Sequence, residues 1–117
     1  MPDAAPALPM PLAGMVALLL AGLALYRSAG FLAINLFVLL TMRPGVRYDG
    51  WRWNVVRRWV YRRDHYACRE CGRGRLQLHC HHKRPVAQGG SSFTWNLETL
   101  CADDHARRHP GNSGMWR

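Results

Sequence analysis

The chain has 117 residues, with 16 Lys and Arg against 7 Asp and Glu and a formal charge of +9. That length allows one compact domain plus an extra segment. The charge suits a polyanionic partner, because each neutralised phosphate releases counterions; a soluble basic surface, or one turned to anionic lipid, has the same composition. The balance is uneven along the chain. Residues 1–42 carry only Asp3 and Arg27, which cancel, while all six His, all four Cys and the whole net charge belong to residues 43–117.

Residues 4–11 are rich in Ala and Pro, Leu12–Tyr26 is an unbroken apolar run, and Arg27-Ser28 interrupts it. Ala29–Met42 is apolar again, with Asn35 and Thr41 as its clearly polar side chains. A spanning helix needs ~20 apolar residues. Neither run reaches that alone, so together they read as one interrupted stretch, either a tilted span or a tight hairpin. No basic leader or small-x-small site marks a cleaved signal peptide. Arg43, Arg47 and Arg52 follow, and the positive-inside rule keeps the C-terminal part in the cytoplasm. A buried helical hairpin and a mis-assigned start near Met42 are the competing readings. Membrane association through residues 12–42 is preferred, because a domain this small struggles to bury so much Leu, Val and Ala.

Pro44-Gly45 breaks the pattern, which divides the chain into an apolar segment (1–42), a linker (43–50), a domain (51–110) and a tail (111–117). Asp49 is placed to cap a helix starting near Trp51. Trp53, Val56 and Val60 share one face of it, with Trp59 beside them, and Arg52, Arg57, Arg58, Arg62 and Arg63 fill much of the rest. The tryptophans read as core packing rather than base-stacking platforms, and each arginine as a phosphate contact or part of a solvated face. A Cys68/Cys71 knuckle closed by Gly72 and Gly74 comes next. Arg75–His82 is expected to be a strand alternating around Leu76, Leu78 and Cys80. Pro85–Thr94 is expected to be a loop turning at Gly89-Gly90-Ser91-Ser92. Leu97–Cys101 is expected to be a second strand and Ala102–His109 a helix stopped by Pro110-Gly111, before a frayed tail.

The Cys68-x-x-Cys71 spacing points both sulfurs at one ion and favours metal over a disulfide framework. A redox pair would want a thioredoxin-like βαβ context, which is missing, so the chain suits a reducing compartment such as the cytoplasm. His81 and His82 are adjacent on a strand and so point to opposite faces. That arrangement can set a metal ligand beside a general base. His105 and His109, one helical turn apart, can reach the same ion. Asn96 can fix a histidine tautomer or brace the loop, or simply make an Asx-turn. Each feature alone has an ordinary structural explanation, so their combination carries the argument.

That combination reads Arg63-Asp64-His65-Tyr66-Ala67-Cys68-x-x-Cys71-Gly72, Leu78-His79-Cys80-His81-His82-Lys83-Arg84-Pro85, Gly89-Gly90, Asn96-Leu97-Glu98-Thr99-Leu100-Cys101, then His105 and His109. It resembles the HNH (His-Asn-His) endonuclease family from roughly Trp51 to Pro110; nothing in residues 1–42 does. The resemblance implies an α+β fold: a ββα-metal (His-Me finger) nuclease domain, preceded by an Arg-rich helix and an apolar N-terminal helical segment. It implies His81 and His105 as ligands of a catalytic ion, with His109 as the additional helix histidine of colicin-type members. His82 would be the general base and Asn96 the brace that orients it. Lys83 or Arg84 would lie by the scissile phosphate.

The chemistry of the residues agrees. A neutral imidazole with a pKa of ~6.5 can take a proton from water at neutral pH. A divalent ion stabilises charge on the departing 3′ oxygen, and the products that the resemblance implies are 5′-phosphate and 3′-hydroxyl ends. Mg, Mn, Ni or Zn suits such ligands. The family often carries a structural zinc on two Cys-x-x-Cys pairs. Here the second pair reads Cys101-Ala-Asp-Asp104, so Cys68, Cys71, Cys101 and Asp104 are the expected set, with His79 or Cys80 as substitutes, or the site lost. DNA is the expected partner, with low sequence specificity and no small-molecule cofactor. Two other readings compete with an active endonuclease: a catalytically inactive, zinc-stabilised nucleic-acid-binding module, and a membrane-surface component. Neither needs a base beside a metal ligand.

Overall fold

The structure, a computed structural model, describes residues 11–74 and 77–111. The chain divides into two compact units, residues 1–32 and 33–117. Helix α1 (Leu12–Thr41) starts directly after Pro11 and stops before Pro44-Gly45. Pro11 has no amide donor to lose at a helix start, and its carbonyl accepts from Gly14 and Met15. Arg27 and Ser28 lie inside the helix, so the interrupted apolar stretch is one helix and not a hairpin. Within residues 12–32 its large apolar side chains are exposed, including Leu18, Leu19 and Leu20 on successive faces.

The second unit begins at Ala33 and so takes in the last turns of α1, unlike the boundary after residue 42 that the apolar pattern suggests. Ile34, Val38 and Met42 are buried there with Val56, Val60 and Leu97. Asn35 is buried too. Its amide nitrogen donates to the Thr94 hydroxyl at 2.9 Å and its oxygen accepts the Thr94 backbone N–H at 2.9 Å. The stray polar residue of the apolar run is therefore a bolt between α1 and the loop ahead of the second strand.

Helix α2 (Gly50–Arg63) has Asp49 at its N-cap position, but the aspartate makes no side-chain capping bond, contrary to its expected role. Val56 and Val60 are fully buried, as their spacing requires. Two consecutive left-handed residues, His65 and Tyr66, turn the chain into the Cys68/Cys71 knuckle, where Gly72 donates to the Cys68 carbonyl at 2.9 Å. Strand β1 (Leu78–His82) pairs antiparallel with β2 (Leu97–Cys101), with His81 opposite Glu98 and His79 opposite Leu100. The expected β1 start was earlier; Arg75 and Leu76 lie outside the described residues, as does the tail after Gly111. The connection between the strands holds short 3₁₀ turns at Val86–Gln88 and Thr94–Asn96. Gly90 has to be glycine, because a Cβ there would collide with the Arg84 carbonyl. Helix α3 (Ala102–Arg108) follows β2 without a linker.

Asp64, at the end of α2, ties these elements together. It accepts two bonds from Arg63 (2.8 and 2.9 Å) and the Thr99 backbone N–H (3.0 Å), while Arg63 also donates to the carbonyls of Thr94 and Leu97. Burial works against ionisation of this carboxyl, but the hydrogen bonds from Arg63 and Thr99 outweigh it and hold its pKa below the ordinary carboxylate range. The stability Asp64 contributes is thus fully present above the unfolded carboxylate pKa of ~3.9 and is lost as pH falls through the depressed folded value. Asp64→Asn is expected to cost about 3 kcal/mol at neutral pH, because Arg63 and the Thr99 amide lose a charged partner. Urea midpoints measured against pH check this. The wild-type midpoint should fall below about pH 4, and the variant, already low, should lose this component of the fall.

Candidate metal centres and active site

Alternation along β1 separates the functional imidazoles. His81 turns inward to α3, where one turn of helix places His105 and His109 on the same side. One ring nitrogen from each of His81, His105 and His109 lies within 4.8 Å of the others. The ring centroids are 5.1–5.3 Å apart and the rings meet edge to face. His79, two residues before His81, stacks flat on His105 at 4.8 Å, and its Nε2 is buried without a hydrogen-bond partner among the described residues. Burial above all, and then the neighbouring imidazoles, pull the pKa values of His81 and His105 down to about 4. Both rings are therefore neutral at pH 7, the protonation state in which an imidazole can ligate a metal. An ion held at ~2.0–2.1 Å by each nitrogen needs only small side-chain adjustments from this geometry, and the donor set suits a divalent cation.

His82, on the other side of the strand, stacks on Trp53 of α2 with centroids 5.2 Å apart and planes 12° from parallel. Its Nε2 lies 3.2 Å from the Ser92 hydroxyl. Burial first, and the nearby Arg47 charge second, lower its pKa. A cavity of about 410 Å³ takes in His81, His82, His105 and His109 together with Arg47 and Arg57. Lys83 and Arg84 do not line it: Lys83 is exposed, and the Arg84 guanidinium turns to the Gln88 carbonyl. Arg47, Trp53, Arg57 and Ser92 were not singled out for this site from sequence. The Trp53–Arg57 spacing of one helical turn was the available signal. Asn96 joins three pieces of loop: its Oδ1 accepts from the Arg84 amide, its Nδ2 donates to the Ser91 and Arg84 carbonyls, and its own carbonyl accepts from Lys83.

The second cluster lies at the other end of the hairpin. Sγ atoms of Cys68, Cys71 and Cys101 and a carboxylate oxygen of Asp104 all lie within 4.8 Å of one another. Cys71 and Cys101 are 3.9 Å apart, and Asp104 Oδ2 is 3.2 Å from both Cys68 and Cys101. A tetrahedral zinc with bonds of ~2.3 Å to sulfur asks for about this sulfur spacing, so the residues fit the ion. His79 and Cys80 are outside the cluster. Burial, ahead of hydrogen bonding, pushes the Cys101 thiol up to about 11. A divalent cation supplies the charge that would turn such thiols into thiolates. Asp104 and His105 are consecutive on a seven-residue helix, which is too short to hold itself. Order at one cluster is therefore order at the other.

An antiparallel hairpin followed by a helix, with imidazoles from strand and helix converging, is the ββα-metal arrangement within an α+β fold. Residues 68–111 match the family model for the HNH endonuclease. The match starts at the knuckle and leaves α1 and α2 outside it. No curated protein and no solved structure matches the chain. HNH proteins are generally nucleases.

Proposed function

We propose that the second unit is a metal-dependent endonuclease that hydrolyses phosphodiester bonds in DNA. The observation that carries this is the pairing of a three-imidazole cluster with a differently held imidazole, His82, on the same strand and in the same basic cavity. His81, His105 and His109 would hold a divalent ion, which supplies Lewis-acid stabilisation of charge at phosphorus and on the leaving 3′ oxygen. With Nε2 of His82 engaged by Ser92, Nδ1 is left to take a proton from water as the water attacks phosphorus. Trp53 holds the ring against rotation. Arg47 and Arg57, rather than Lys83, neutralise the substrate phosphate. Cys68, Cys71, Cys101 and Asp104 would hold a structural zinc. Backbone neutralisation by arginine carries no sequence information, so cleavage has low sequence specificity.

The pH profile of plasmid nicking tests the role of His82. A base whose pKa is depressed stays deprotonated to lower pH, so the acid limb should fall below the ordinary histidine value of ~6.5. A limb at or above that value contradicts the assignment. We further propose that residues 12–32 anchor the chain in a membrane. α1 is long and apolar enough to cross one, and at ~1.5 Å per residue those residues span about 31 Å, the thickness of a hydrocarbon core.

A further inference from the structure

Helix α2 has a face that catalysis does not use. Trp53 and Arg57 turn to the cavity. Trp51, Val55, Arg58 and Arg62, spaced i, i+4, i+7 and i+11, form a row on the opposite side. All four are exposed, Trp51 by 63%. The last turns of α1 show the same division: Ile34, Asn35 and Val38 are buried, while Leu36, Leu39 and Leu40 are exposed by 54–73%. Phe37 and Trp51 pack with ring centroids 5.9 Å apart, which brings the two exposed rows together. Large apolar side chains exposed on two helices that meet at this ring contact need a covering.

We propose that this surface seats the nuclease unit on an anionic membrane. Leu36, Leu39, Leu40, Trp51 and Val55 enter the boundary between headgroups and acyl chains, and Arg58 and Arg62 bind lipid phosphates. The row is built like an interfacial helix, with an aromatic and an aliphatic residue at one end and cations at the other. Lipid is favoured over a second copy because residues 12–32, just before this surface in sequence, are apolar and exposed on successive faces. An occupant that surrounds a helix fits them; a partner on one side does not. The cavity residues of α2 lie on its other face, so a seated unit keeps its site open to nucleic acid. This inference rests on the membrane anchor proposed above.

The test uses the full chain, labelled with 5-fluorotryptophan and reconstituted in phosphatidylcholine vesicles with and without phosphatidylserine. Trp51→Phe assigns the resonance. Trp95, exposed by 56% in the loop beside Asn96, serves as the water-facing reference. A lipid-borne spin label should erase the Trp51 signal and spare Trp95, while a water-soluble gadolinium chelate should do the reverse. Phosphatidylserine should strengthen the protection of Trp51, and an Arg58→Glu/Arg62→Glu double variant should lose that dependence. If the chain floats with vesicles but Trp51 stays open to the gadolinium chelate, the seat is wrong and the anchor stands. A chain that does not float overturns both. Trp51 shielded from both reagents means that a second copy covers the row, which also overturns the proposal.

Discussion

Replacing His82 by alanine is expected to slow plasmid cleavage about 10²- to 10⁴-fold, the range carried by a positioned general base. Metal binding should be unaffected, because His82 points away from the three-imidazole cluster and makes its contacts with Trp53 and Ser92. His105→Ala is the contrasting variant. It removes a ligand, so both ion affinity and cleavage should fall. Single-turnover cleavage beside calorimetric titration with manganese separates the two. A His82→Ala protein that cleaves at the wild-type rate, or that has lost the ion, contradicts the division of labour between the two sides of β1. The loop stitched by Asn96 keeps Ser92 in place, so loss of His82 leaves the surrounding hydrogen bonds of Asn96 intact.

A chain beginning at Arg43 is expected not to fold, although it keeps every histidine and cysteine. It loses Ile34, Val38 and Met42 from the core, each worth roughly 1.5–3 kcal/mol of burial. It also loses Asn35 and so strands the buried Thr94 amide and hydroxyl, at about 1–3 kcal/mol for each unsatisfied group. Together these approach the whole stability of an ordinary domain, ~5–15 kcal/mol. Asn35→Ala in the full chain isolates this part and should cost about 2–6 kcal/mol, the sum over the two stranded groups. Urea denaturation followed by circular dichroism decides the matter. Cooperative unfolding of residues 43–117 at the midpoint of the full chain would show that α1 is dispensable to the second unit.

That dependence on α1 was not legible in the sequence. Asn35 looks like an isolated polar residue in an apolar run, and nothing local to it indicates a partner 59 positions away. By contrast, Leu97–Cys101 was legible to the residue, because Asn96 and the onset of the Ala102 helix bound a short apolar segment. The grouping of the candidate ligands was partly legible, because His105 and His109 lie one helical turn apart and Cys68 and Cys71 at knuckle spacing, and the fold then brings His81 to the first pair and Cys101 and Asp104 to the second. Asp104 falls into its cluster as its position after Cys101 implies. The cavity's arginines were not legible. Lys83 and Arg84 are near His82 along the chain, but neither lines the cavity and the Arg84 guanidinium donates to the Gln88 carbonyl, while Arg47 and Arg57 arrive from other segments. Trp53 was read as core, and its ring does pack against the core. Its stacking on His82 depends on how α2 lies across the hairpin, which helical spacing does not specify.

Incubating the full chain with supercoiled plasmid, with Mg, Mn, Ni or Zn in turn and with or without EDTA, decides whether the protein is an ion-dependent nuclease. Ion-dependent nicking that EDTA abolishes and that His81→Ala eliminates is the result this account predicts. Plasmid that is retarded but left intact under every ion would contradict it. The domain would then be a zinc-stabilised nucleic-acid-binding module, and the aspartate at position 104 would be the first departure from the family pattern to examine.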